Sequence, residues 1–135
     1  MASIREEFTV DATPDAVWSA LRDYGAVHTR LAVGFVVDCT MEEGDVRVIT
    51  FGNGMVVREK LVGIDDPARR VAYTVVGGGA AHHNASAQVM VDADGRTRFV
   101  WITDVLPDAA AKPIGAMMKI GAEAMRKTLS QLPAR

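Results

Sequence analysis

Apolar and polar positions alternate from the start of the chain. Residues 4–10 put Ile4, Glu6, Phe8 and Val10 on one face and Arg5, Glu7 and Thr9 on the other, the two-residue period of a β-strand. Asp11-Ala12-Thr13-Pro14-Asp15 follows and reads as a helix start. Thr13 is a suitable N-cap, Pro14 suits the first helical position, and Asp15 complements the helix dipole. The helix carries Val17, Trp18 and Leu21 toward a core and ends before Gly25, and a second short helical piece is predicted around 26–31, with Gly34 as its stop. From residue 35 the two-residue period returns and predicts strands over 35–41, 46–51, 55–64, 70–76, 82–91 and 97–106. Turn chemistry separates them: Glu42-Glu43-Gly44-Asp45, Gly52-Asn53-Gly54, Asp65-Asp66-Pro67, Gly77-Gly78-Gly79 and Asp92-Ala93-Asp94-Gly95. Past Pro107 the pattern becomes helical over 108–132. Ile114, Met117, Met118, Gly121, Met125, Thr128, Leu129 and Leu132 form one stripe, and Pro113 belongs in the first turn.

One strand, two short helices, about six consecutive strands and one long helix make an α+β arrangement, because the strands do not alternate with helices. A single amphipathic helix can cover only one face of such a sheet. The pattern therefore predicts a helix-grip fold, in which a curved antiparallel sheet of about seven strands wraps the C-terminal helix and leaves a space between them. The 135 residues fit one domain, 1–135, with no repeat or linker.

Charge narrows the functional classes. Fifteen basic and seventeen acidic side chains leave a formal charge of −2 with no long run of one sign. That offers neither the basic face of a nucleic-acid binder nor a polybasic membrane anchor. Cys39 is the sole cysteine, so an intramolecular disulfide and a zinc cluster are both excluded. The first residues are charged and lack a signal-peptide core, and the apolar runs are too short to span a bilayer. A cytoplasmic location is expected, with no cofactor.

Two stretches, Val10-Asp11-Ala12-Thr13-Pro14-Asp15-Ala16-Val17-Trp18 and Gly95-Arg96-Thr97-Arg98-Phe99-Val100-Trp101, together with the element order, resemble the polyketide cyclase/dehydrase branch of the START-like (Bet v 1-like, SRPBCC) superfamily. The resemblance runs the length of the chain and implies the helix-grip fold. Its members carry lipids, bind hormones, assist chaperones or cyclise polyketides. A weaker likeness joins Arg58-Glu59-Lys60-Leu61, Asp65-Asp66, Arg69-Arg70-Val71 and Val75-Val76-Gly77-Gly78 to the plant abscisic acid receptors. This likeness implies that Glu59 and alternate residues of the next strands line a pocket. The receptors' Ser-Gly-Leu-Pro-Ala gate is replaced by Phe51-Gly52-Asn53-Gly54 and their His-Arg-Leu latch by Gly79-Ala80-Ala81-His82-His83. Their hormone-gated mechanism is therefore not carried over.

Strand parity selects the inward side chains. If Gly95 takes the left-handed position of a three-residue bulged hairpin, Asp92 pairs with Arg96. His83, Ala85, Ala87, Val89 and Val91 then share a face with Thr97, Phe99, Trp101, Thr103 and Val105. The same alternation turns Val71, Tyr73 and Val75 inward, with Met55, Val57, Glu59 and Leu61, and also Phe35, Val37 and Cys39. Glu59 is the odd member of an apolar face, and a flipped strand would leave it solvated instead. Two registers are open for 46–51 against 55–64: one sets Arg47 opposite Glu59, the other Val48. Met117 and Met118 are either core or cavity wall, and in a grip fold both. The candidate ligand-binding set is Arg47, Glu59, Tyr73, His83, Phe99, Trp101, Thr103, Met117 and Met118. His82 and His83 cannot share a metal ion, since neighbours on a strand face opposite ways, and His28 is remote. No catalytic constellation is legible.

An apolar inner face with a few polar groups predicts a binding protein for a small apolar or aromatic metabolite, lipid- or polyketide-like. The alternatives are a polyketide cyclase/dehydratase-type enzyme and a co-chaperone-like interaction module. Three further expectations follow. The loop 77–81 is a mobile entrance. Met90, Val100 and Ile102 form an exposed apolar patch that supports a homodimer. Leu at position 59 stabilises the empty protein by removing a buried polar group.

Overall fold

The computed structural model describes residues 2–134. Seven strands, β1 (Ala2–Val10), β2 (Val36–Glu42), β3 (Val46–Phe51), β4 (Val56–Asp65), β5 (Arg70–Val76), β6 (His82–Val91) and β7 (Thr97–Leu106), form one curved antiparallel sheet in the order β1-β7-β6-β5-β4-β3-β2. Each strand from β3 to β7 lies beside its predecessor through a hairpin, while β1 pairs with β7 at one edge and β2 forms the other. Helix α1 (Pro14–Arg22) follows β1, then a 3-10 turn (Tyr24–Ala26) and a π-helical turn (Val27–Leu31). The long helix α2 (Ala111–Leu129) lies across the concave face against β1, β7 and the π-helical turn.

Local chemistry accounts for the element ends. The Ala16 N–H donates to Thr13 Oγ1 at 3.1 Å with Pro14 leading the helix, as the sequence predicts. In the last hairpin Gly95 has φ +83°, the Asp92 N–H donates to the Arg96 carbonyl at 2.9 Å, and Val91 pairs with Thr97. This is the bulged turn on which the inward face of β6 and β7 was assigned. Asp66, in the β4–β5 turn, accepts from Trp18 Nε1 at 3.1 Å and from Arg22 Nε at 2.9 Å, tying α1 to the sheet. The Thr13 N–H donates to the Pro133 carbonyl at 3.1 Å and anchors the chain end beside α1.

The core runs along the concave face and under α1, with Val17, Val71, Phe99, Val105 and Leu129 wholly buried. Two expectations are corrected. Val37 is exposed, because a bulge between Val36 and Asp38 shifts the parity of β2 and buries Val36 instead. Val100, expected in an exposed patch, is 4% exposed although it lies on the outer face, and Ile102 is half-buried. Of the three only Met90 is open to solvent. Two-residue alternation predicts which face a side chain takes but not what its neighbours cover.

Candidate functional site

The concave face and α2 enclose a cavity of about 510 Å³, within the usual range for small-molecule sites of roughly 300–1,000 Å³. Its wall is apolar for most of its extent: Val27, Ile49, Val57 and Val75 from the turn and strands, with Met117, Met118 and Met125 from α2. Thioethers suit such a wall because they adapt to ligand shape. Gly78, Gly79 and Ala80 border it at the β5–β6 loop, and Phe35, Phe51 and Met55 line it at the same end of the neighbouring strands.

One charged pair interrupts this apolar surface. In the β3–β4 ladder Arg47 lies opposite Glu59, which resolves the two registers left open by the sequence. Arg47 Nε donates to Glu59 Oε1 at 2.9 Å, and Nη2 stands 2.8 Å from the same oxygen. Nη1 donates to the Tyr24 carbonyl at 3.2 Å, and the guanidinium lies 3.9 Å above the Tyr24 ring and 5.0 Å from the centre of Tyr73. Tyr24 closes the arrangement by donating its hydroxyl to the Glu59 carbonyl at 2.9 Å. Both charged residues are under 10% exposed. Burial works against the Arg47 cation, but Glu59 and the two tyrosines hold its pKa above the ordinary value.

Small residues on β6 bring the remaining polar groups together. Tyr73 pairs with Ala85, Ala85 with Thr103, and Ala87 with Trp101. Over these two alanines Trp101 Nε1 reaches Tyr73 and donates to its hydroxyl at 3.0 Å. Burial, reinforced by the Glu59 charge, pushes the Tyr73 phenol well up, so it stays a proton donor. Tyr24 is raised for the same first reason. His83 faces the cavity. Burial pulls its pKa below 6.5, and the opposing pull of Glu59 does not reverse this. His82 is exposed on the other face and contacts Asn84. Burial raises the Cys39 thiol despite nearby Arg47, consistent with a packing role.

Eight of the nine predicted residues therefore line the cavity: Arg47, Glu59, Tyr73, His83, Trp101, Thr103, Met117 and Met118. Phe99 does not. It shares their face but lies beyond the cavity end, fully buried, with its ring stacked on Phe8 at 5.1 Å. Tyr24 was not foreseen. It follows α1 between Asp23 and Gly25, and no local pattern announces a contact with a strand 35 residues further on. Among the described residues no group of His, Cys, Asp and Glu could hold a metal ion, and no helix is long and apolar enough to cross a membrane.

A grip of seven strands around one long helix, with a cavity between them, defines the class of protein. The chain belongs to the family described as polyketide cyclase / dehydrase and lipid transport, whose model matches residues 1–135. No curated protein matches it. Among solved structures, XoxI from Bacillus cereus is similar with a TM-score of 0.84 at 16% identity, covering 97% of each chain. A protein from Thermobifida fusca superposes with a TM-score of 0.76 at 24% identity over 100% of this chain and 97% of its own. A norcoclaurine synthase point mutant from Thalictrum flavum, in complex with a transition-state analogue, gives 0.67 at 19% identity over 95% and 93%. These likenesses concern the fold.

Proposed function

We propose that the protein binds a small apolar or aromatic metabolite, lipid- or polyketide-like, in the cavity between the sheet and α2. The observation that carries this reading is a cavity of about 510 Å³ with an apolar wall and a single polar cluster, Arg47, Glu59, Tyr73, His83 and Thr103, at one side. The wall supplies desolvation and the cluster supplies orientation, the usual division of labour in such sites. An open grip supports ligand binding over a protein-interaction module, for which a filled one would serve. The test is native mass spectrometry of untreated protein for a co-purified molecule, with a Nile red titration followed through Trp101 fluorescence. Micromolar dye binding that Val57→Trp abolishes supports the reading. An adduct-free protein that ignores the dye, or binds it equally well with the cavity filled, overturns it.

A second reading draws on His83, whose depressed pKa keeps a neutral imidazole inside the cavity as a base near neutral pH. In a cyclase/dehydratase-type enzyme it would move a proton while the wall folds a reactive chain. Turnover of a polyketide-like substrate lost in His83→Asn, with substrate binding retained, would support that chemistry.

A further inference from the structure

The ion pair is closed on itself, and this bears on what the cavity accepts. Both guanidinium contacts to Glu59 fall on one oxygen, Oε1. The third arm of Arg47 is spent on the Tyr24 carbonyl and its face on the Tyr24 ring. Glu59 Oε2 receives no hydrogen bond from the described residues and keeps some accessible surface. The groups that meet the pair come from every element around it: Tyr24 from the 3-10 turn, Tyr73 from β5, Cys39 from β2 and His83 from β6. None of them is a cation at neutral pH, and among the described residues no other charged side chain lines the cavity. Its formal charge is therefore zero.

We propose that the cavity selects an electrically neutral ligand carrying a hydrogen-bond donor, a hydroxyl or amide N–H aimed at Glu59 Oε2, and rejects carboxylates. This rests on the ligand-binding reading above and narrows it. A carboxylate entering the cavity would lose its hydration and find no free cation, since the only one is already neutralised. It would also face Oε2 with a second negative charge. A neutral donor meets an accepting oxygen that is already ionised, where a hydrogen bond is strongest. Tyr73 and Thr103 remain to hold a second polar group of the same ligand.

Displacement of Nile red by three ligands of nearly one shape tests this: 2-naphthamide, methyl 2-naphthoate and 2-naphthoate, at pH 7.5. The expected order is amide, then ester, then acid, with the acid at least thirtyfold weaker than the amide. In Glu59→Gln the cavity gains a net positive charge, and the acid should approach or overtake the amide. An acid within threefold of the amide on the wild-type protein overturns the inference, as does an ester that binds as tightly as the amide. So does a Glu59→Gln variant that keeps the full wild-type preference. If that variant does not fold, the wild-type series decides alone. A wild-type protein that takes up neither dye nor amide overturns the binding reading itself, an outcome distinct from uptake without discrimination.

Discussion

Replacing Glu59 by Leu should destabilise the protein, the reverse of what holds for a cavity acid with no partner. The substitution removes the acceptor of two guanidinium contacts, at 2.9 and 2.8 Å. Arg47 then keeps one hydrogen bond, to the Tyr24 carbonyl, and its place over the Tyr24 ring. It remains 6% exposed with an uncompensated charge. Breaking a buried pair on one side costs about 3–5 kcal/mol. The retained cation–π contact, worth up to ~2 kcal/mol when desolvated, favours the lower end, about 3 kcal/mol. For a chain of this length that lowers Tm by roughly 10 °C. Removing both charges in Arg47→Met/Glu59→Leu should restore stability to within about 1 kcal/mol of wild type or exceed it, since a buried pair often contributes no more than well-packed apolar side chains. Urea unfolding of wild type, both single variants and the double variant closes a thermodynamic cycle whose coupling should be about 5 kcal/mol, because each single variant leaves a buried charge unpaired and the double variant leaves none. A neutral or stabilising Glu59→Leu, or a coupling near zero, would refute the buried pair and with it the inward face of β4.

Three further outcomes are expected. A Cβ on Gly121 of α2 would lie 2.8 Å from the Phe35 ring, which is itself braced edge-on by Phe51 at 5.1 Å. Gly121→Ala should therefore lose about 1 kcal/mol net although alanine favours the helix by a similar amount, and a stabilised variant in thermal melts would show that Phe35 is not held there. His83 has a folded-state pKa below its ordinary 6.5, so as pH falls the unfolded chain takes up this proton first. The stability that depends on the neutral ring is complete above about pH 6.5 and declines as pH falls toward the folded value. Melting curves of His83→Asn should fall less steeply than wild type between pH 7.5 and 5, and parallel curves would count against a desolvated His83. Amides of residues 77–81 should exchange faster than those of central β5 and β6 and slow on dye binding, because the glycines there form few side-chain contacts. Exchange as slow as in β5 without ligand would remove this loop as the entrance.

The element order was readable from the chain because each signal is local. A two-residue period, an Asn-Gly turn, a Thr-Pro helix start and a helical methionine stripe each act over a few residues, and none needs a distant partner. Hairpin connectivity then left little freedom in strand order, and parity through Gly95 placed Trp101, Thr103 and His83 on one face. Parity failed at Val37, where a bulge adds a residue that alternation cannot foresee. Phe99 has the predicted face but the wrong depth, since distance along the helix axis is not encoded in a two-residue period. Only tertiary structure decided the chemistry of the site. Whether Glu59 was a lone acid or half of an ion pair depended on one residue of register against β3 and on Tyr24, which arrives from another element to hold Arg47. Those contacts join residues 12 to 35 positions apart, and their energies depend on burial that no single strand possesses before the sheet curls around its helix.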